Sequence, residues 1–185
     1  MHVLTFAATS SRRSINRRLV DHAADVLRQL HPAVEISTLD LNDFEMPIYS
    51  IDREQEDGIP QAAQDFYDRI TAADALIISF AEHNGSYTAA FKNVYDWASR
   101  IDAKVYQDTP TVMLATAPGP RGGAGVLGSA TMTAPFFGCD LRGQLSIPRF
   151  NDAFDTERGV LTNPETADEL RTILSSLLTP ASEAA

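Results

Sequence analysis

The chain alternates five times between short apolar runs and segments with helical spacing, and this alternation limits its fold more than any other feature. The apolar runs occupy residues 2–8, 34–39, 75–80, 111–116 and 141–147. Helical periodicity follows them at residues 15–30, 60–73, 88–100, 124–137 and from Asn163 onward. Strands that alternate with helices are typical of a parallel sheet covered by helices on both faces. We therefore predict one α/β domain over residues 1–179, followed by a disordered tail at 180–185.

The order of the five strands follows from the handedness of their connections. Right-handed crossovers restrict such a chain to a doubly wound sheet, and for five strands we favour the flavodoxin-like order 2-1-3-4-5. Strands 1, 3 and 4 are neighbours in this order. The three loops that follow them, at 8–16, 81–87 and 117–123, should therefore converge on one edge of the sheet. Ligands of open α/β sheets bind at this edge.

The first of these loops is rich in groups that bind phosphate. Its four hydroxyls and two guanidinium groups belong to Thr9, Ser10, Ser11, Ser14, Arg12 and Arg13. Together with the unpaired amides at a helix start, they suit a phosphate monoester. The loop lacks the glycines that a dinucleotide pyrophosphate or a P-loop requires. Ser14 can also serve simply as the helix cap, and we expect both roles because they are compatible.

The other two loops can hold a flat ring. The second offers backbone amides and polar side chains around Asn84-Gly85, although these two residues also suit a plain turn at a helix start. The third has three glycines around Arg121, which let a ring approach backbone amides, or which merely make a flexible connection after Pro118. A phosphate site beside two such loops favours a flat cofactor with one phosphate. That description fits FMN.

Composition and charge exclude several other classes of protein. A net charge of −10 argues against a surface for nucleic acid or anionic membrane. The single cysteine, Cys139, lies in an apolar setting that favours an inert thiol, and the four histidines lack zinc spacing. No apolar run reaches the length of a membrane span, and the amino terminus leads directly into a strand. We predict a cytoplasmic protein without a metal site.

Taken together, the loops resemble those of the NADPH-dependent FMN reductases of flavodoxin-like fold, a family that includes quinone and azo-dye reductases. The resemblance rests on TSSRRSIN at 9–16, EHNGSYTAAFKNVYDW at 82–97 and PGPRGGAGVLG at 118–128. It extends more weakly over residues 40–60, and so covers most of the chain. The middle motif is the most specific of the three.

The resemblance implies a role for each of the three loops. The FMN phosphate would be held by the first loop, through Thr9, Ser11, Ser14 and Asn16, with Arg12 and Ile15 beside them. The isoalloxazine ring would be lined by Glu82, His83, Asn84, Gly85 and Ser86 on one side and by Pro118, Gly119, Arg121, Gly122 and Gly123 on the other. The sequence departs from the usual family pattern at Ala8-Thr9, where Gly-Ser is common, and at His83, where Tyr is usual.

The family also implies self-association and a redox activity. The helix that carries Asn93 and Trp97 would form a homodimer or homotetramer contact. The expected reaction passes hydride from NADPH or NADH through FMN to a small acceptor, namely a quinone, an azo compound or free flavin. This chemistry requires no catalytic acid or base from the protein. The alternatives are a flavodoxin-type electron carrier, whose acidic surface would dock basic partners, and a regulatory module for another nucleotide.

Overall fold

Five parallel strands form the central sheet of the computed structural model, which describes residues 1–178. The strands are β1 His2–Ala8, β2 Glu35–Leu39, β3 Ala75–Phe80, β4 Thr109–Thr116 and β5 Cys139–Ile147. Their order, β2-β1-β3-β4-β5, confirms the predicted topology. In register, Phe6 of β1 lies between Leu39 of β2 and Ile78 of β3. The tail predicted at 180–185 lies outside the described residues.

Helices cover both faces of the sheet, as predicted. They are α1 Ile15–Leu30, α2 Ile51–Asp57, α3 Gln61–Thr71, α4 Ala89–Ile101, α5 Ala124–Thr133, α6 Phe150–Ala153 and α7 Pro164–Ser175. Helices α1 and α7 pack on one face, and α3, α4 and α5 pack on the other. Helix α7 begins as predicted, because the side chain of Asn163 accepts hydrogen bonds from the amides of Glu165 and Thr166 and Pro164 occupies the first helical position.

Two apolar cores lie on the two sides of the sheet. In β1, Leu4 and Phe6 contribute to one core and Val3 and Ala7 to the other. Both faces of β1 are therefore shielded from water. Apart from His2 and Thr5 the residues of this strand are apolar, and they show no alternation of apolar and polar positions. Each large side chain buried in this way stabilises the fold by about 1.5–3 kcal/mol.

The segment 40–60 lies between the second apolar run and the second helical pattern of the sequence, and it contains two helical pieces. A 3-10 turn occupies Leu41–Phe44, and helix α2 follows after Ser50, whose hydroxyl accepts from the amide of Arg53. None of the residues of α2 is buried. A helix that buries no face leaves no periodic apolar signal, so periodicity could not have detected it.

The second half of the chain also departs from the prediction in two places. The helix predicted over 124–137 ends as an α-helix at Thr133 and continues as a 3-10 turn over Ala134–Phe137, with a proline at its start. A small antiparallel pair, β6 Phe154–Asp155 and β7 Val160–Leu161, was not predicted. Two-residue strands are too short to show an alternating pattern.

Helix α4 holds a segment of its own chain through the side chains of Asn93 and Trp97. The Trp97 ring nitrogen donates to the carbonyl of Pro47 at 2.7 Å, and the Asn93 amide nitrogen donates to the same carbonyl at 3.1 Å. The Asn93 side-chain oxygen accepts from the amide of Tyr49 at 2.9 Å. Trp97 is 1% exposed. Residues 46–49 therefore cover the Trp97 side chain, and the predicted homodimer or homotetramer contact through the helix that carries Asn93 and Trp97 stays a prediction.

Burial explains the state of the single cysteine. Cys139 begins β5 and lies against the core that contains α4 and α5. Burial is the largest influence on its thiol and raises the pKa of Cys139 to about 11, which keeps it protonated and weakly nucleophilic at neutral pH. Separately, none of the helices within residues 1–178 is both long enough and apolar enough to cross a bilayer.

Candidate functional site

The loops that follow β1, β3 and β4 meet in one cleft at the carboxyl edge of the sheet. The cleft has a volume of about 300 Å³. Its lining consists of Thr9, Ser11, Arg13, Ser14, Ile15, Asn16, Ala81, Glu82, His83, Thr116, Ala117 and Pro118. Eight of these belong to the predicted site; Arg13, Ala81, Thr116 and Ala117 do not. The strand order accounts for the convergence, since β1, β3 and β4 are adjacent.

The first loop ends at the amino terminus of α1 and presents hydrogen-bond donors there. The hydroxyl oxygen of Ser14 accepts from the amide of Asn16 at 3.1 Å, so Ser14 is the helix cap, and its own O–H stays available to donate. The hydroxyl oxygen of Thr9 accepts from the amide of Ser11 at 3.1 Å and shapes the turn. The first amides of α1 lack helical partners and make this end of the helix positive.

The two adjacent arginines of the first loop point into different clefts. Arg13 lines the three-loop cleft, whereas Arg12 lines a neighbouring cleft beside Arg17 and Asp40. The predicted position of Arg12 beside the FMN phosphate stays a prediction, and Arg13 is the arginine that lines the three-loop cleft. The sequence marks both arginines as possible phosphate ligands, and only the conformation of the loop separates them.

Asn16 forms the floor of the cleft. It is 2% exposed, and its side-chain oxygen accepts from the Ser79 hydroxyl at 2.9 Å and from the Thr116 amide at 3.0 Å. Its side-chain nitrogen donates to the Thr116 carbonyl at 3.1 Å. Asn16 therefore joins α1 to the ends of β3 and β4. A direct contact with phosphate stays a prediction, which only its second amide hydrogen could satisfy.

The second loop is a two-residue β-hairpin. His83 and Ser86 exchange backbone hydrogen bonds of 3.0 and 3.1 Å, and Asn84 and Gly85 have φ values of +53° and +79°. Positive φ at both central positions is typical of a type I′ turn, for which Asn-Gly is the favoured pair. His83 lines the cleft, whereas Asn84, Gly85 and Ser86 form the exposed tip. The turn explanation for Asn84-Gly85 is therefore correct, and contact of the tip with a ring stays a prediction.

Glu82 joins the second loop to the third. Its carboxylate oxygen Oε2 accepts from the amide of Val126 at 2.8 Å in the first turn of α5, where a negative charge offsets the positive helix end. Its Oε1 lies 3.7 Å from a guanidinium nitrogen of Arg121. A side chain at Gly125 would place its Cβ 2.6 Å from Oε2, so the Glu82 carboxylate would have to shift from its present position.

The glycines of the third loop serve backbone packing. Gly122 has φ +58° and is buried, and a Cβ there would lie 2.6 Å from the backbone nitrogen of Pro148. Gly123 has φ +81° and lies against Ala115. Neither residue lines the cleft, and the predicted close approach of a ring to Gly122 and Gly123 stays a prediction. Gly119 and Arg121 are exposed, and Pro118 alone of the predicted residues of this loop lines the cleft.

The residues present fit FMN. Hydroxyls, a guanidinium group and a helix amino terminus at one end suit a phosphate monoester. The cleft is also lined by His83 of the hairpin and by Ala117 and Pro118 of the third loop, and Asn16 joins the ends of the strands that precede these two loops. Rigid backbone on two sides suits a planar ring.

Known proteins are similar to this chain in sequence and in architecture. A family model described as NADPH-dependent FMN reductase matches residues 1–152. The NADPH:quinone oxidoreductase of Arabidopsis thaliana is 28% identical over 66% of this chain, but the match covers only 61% of that protein. The NAD(P)H:quinone oxidoreductase of Solanum tuberosum is 30% identical over 89% of this chain and 84% of that protein. These matches agree with the resemblance inferred from the loops.

A solved structure supports the same fold. The flavoenzyme FerB of Paracoccus denitrificans, an NAD(P)H:acceptor oxidoreductase, superposes with a TM-score of 0.74 over 96% of this chain and 94% of FerB, at 24% identity. The flavodoxin-like architecture is thus confirmed by a sheet order, a family model and a structural neighbour. The chain belongs to the NADPH-dependent FMN reductase family.

Proposed function

We propose that the chain is an FMN-dependent oxidoreductase that passes hydride from NADPH or NADH to a quinone. The convergence of three loops on one cleft, with phosphate donors at one end and two rigid walls at the other, carries this proposal. The names of the Arabidopsis and potato relatives favour a quinone over an azo compound or free flavin as the acceptor.

The residues of the chain bind and orient, while bound FMN supplies the hydride chemistry. Thr9, Ser14 and Arg13 hold the phosphate, helped by the positive end of α1. His83 of the hairpin and the loop at 117–118 would hold the ring. Within the hairpin, the amides of Asn84 and Gly85 are not used by the turn and would be available to offset negative charge on the ring edge.

A spectroscopic titration tests this function. The protein loaded with FMN should be yellow, should bleach when NADPH or NADH is added without oxygen, and should turn over when a benzoquinone is supplied. A flavodoxin-type carrier would keep its colour with either pyridine nucleotide and bleach only with dithionite. A regulatory module for another nucleotide would stay colourless when offered FMN.

We further propose that the chain forms a homodimer or homotetramer through the surface above α4. Ile48, in the segment that covers Trp97, is 75% exposed, and Ile51, at the start of α2, is 52% exposed. Neighbouring exposed apolar side chains of this kind favour self-association. Light scattering should give the monomer mass for the Ile48→Glu/Ile51→Glu variant and twice or four times that mass for the parent. Phe136→Glu removes another exposed apolar side chain (81%) and should keep the oligomer. Dissociation by Phe136→Glu alone would contradict this interface.

The cytoplasmic location stays a prediction from the sequence.

A further inference from the structure

A second cleft lies on the other side of the first loop, between the ends of β1 and β2. Its volume is about 330 Å³, within the range of about 300–1,000 Å³ that is usual for small-molecule sites. Its polar lining includes Thr9, Ser11, Arg12, Arg17 and Asp40. Thr9 and Ser11 also line the three-loop cleft, so the two clefts share a wall. A ligand longer than FMN could therefore reach from one cleft into the other.

The carboxylate of Asp40 is held in place and has one oxygen to spare. Its Oδ1 accepts from the backbone amide of Asn42 at 2.9 Å and from the side-chain amide of Asn42 at 2.7 Å. Across residues 1–178, no group donates a hydrogen bond to Oδ2. The hydrogen bond from the Asn42 backbone is the largest influence that lowers the pKa of Asp40, and Arg17 and Arg12 lower it further. Asp40 is therefore an ionised, oriented acceptor.

The charges around Asp40 favour a hydroxyl ligand over a second phosphate. Arg12 and Arg17 are balanced in the lining by Asp40 and Asp43, so the cleft carries no net positive charge. Arg17 is further engaged with Asp21 at 2.9 Å. A phosphate ester placed against the Oδ2 oxygen of Asp40 would meet a like charge, whereas a vicinal diol would donate to it.

We infer that this second cleft binds the adenosine ribose of NADH, with Asp40 accepting hydrogen bonds from the 2′- and 3′-hydroxyls. An acidic residue at the end of the second strand plays this part toward the ribose in other doubly wound sheets. The inference rests on the proposed NAD(P)H oxidation, and it adds a preference. NADH should be favoured over NADPH, because the 2′-phosphate of NADPH would lie against Asp40.

Calorimetric titration of the FMN-loaded chain with ADP-ribose tests the site without any turnover. Asp40→Asn keeps an acceptor for the Asn42 amide but replaces the free acceptor oxygen by a donor and removes the charge. It should raise the Kd of ADP-ribose about tenfold, the loss expected for a hydrogen bond to a charged group. Asp25→Asn is the matched control, since Asp25 is an exposed residue of α1 outside both clefts, and it should leave the Kd unchanged.

The kinetic consequence is a change in KM without a change in kcat. Asp40→Asn should raise the KM for NADH about tenfold, leave kcat unaltered and lower the preference for NADH over NADPH. Equal binding of ADP-ribose by Asp40→Asn and the parent would overturn the inference, and so would tighter binding of 2′,5′-ADP than of ADP-ribose by the parent. A chain that binds no FMN would refute the proposed function instead, and the same titration on the flavin-free chain would still decide the role of Asp40.

Discussion

Asn16→Ala is expected to lower the free energy of unfolding by about 3 kcal/mol, because it leaves several buried polar groups without partners. The amide and the carbonyl of Thr116 and the hydroxyl of Ser79 all bond to the Asn16 side chain. These groups are inaccessible to water, so the loss of a partner costs desolvation energy that solvent does not return. Urea unfolding of the flavin-free chain, followed by circular dichroism, measures the effect.

The floor of the cleft should lose its shape in the same variant. Asn16 spans 100 residues of sequence to reach Thr116, so its removal frees the end of β4 from the start of α1. We expect FMN affinity to fall together with stability. Asn163→Ala is the matched control: it removes the cap of α7, should cost about 1 kcal/mol, and should leave FMN affinity unaltered. If both variants lost the same amount of stability, the three hydrogen bonds of Asn16 would contribute no more than one helix cap, and the prediction would be wrong.

Arg13→Ala/Ser14→Ala should raise the Kd of FMN about hundredfold. Arg13 and Ser14 line the phosphate end of the cleft, and the loss of a charge-assisted and a neutral hydrogen bond amounts to about 3 kcal/mol. Riboflavin lacks the phosphate, so its affinity should hardly change. Fluorescence titration with both flavins separates a phosphate effect from general damage to the cleft.

The matched control for this double variant is Arg12→Ala/Ser50→Ala. It makes the same two changes at an arginine outside the three-loop cleft and at a serine that caps α2 instead of α1. It should leave FMN affinity unaltered. If both double variants lower the affinity for FMN equally, the assignment of the phosphate to this end of the cleft is wrong. It is also wrong if the affinity for riboflavin falls as much as the affinity for FMN.

The architecture of the sheet could be predicted because each strand shows itself as a local apolar run and because a general rule of handedness limits the order of the strands. A strand buried on both faces, such as Ala75–Phe80, is a plain apolar run, and the right-handed rule then orders the strands. Elements that bury little left no such signal. Helix α2 has no buried residue, and the β6–β7 pair has two residues in each strand. These elements are held by a capping hydrogen bond in α2 and by strand pairing in β6–β7, and they have no periodic apolar face.

The candidate site shows the same division at the level of side chains. The sequence alone determined that three polar loops meet at one edge, because strand order places their starting points side by side. Tertiary structure alone decided that Arg13 and not Arg12 enters the cleft, that Gly122 packs against Pro148, and that Trp97 lies under residues 46–49. The direction of each of these groups depends on contacts with residues far along the chain. The hydrophobic periodicity of strands and helices describes only neighbouring residues and carries no information about such distant contacts. These contacts are defined only when the whole backbone has folded.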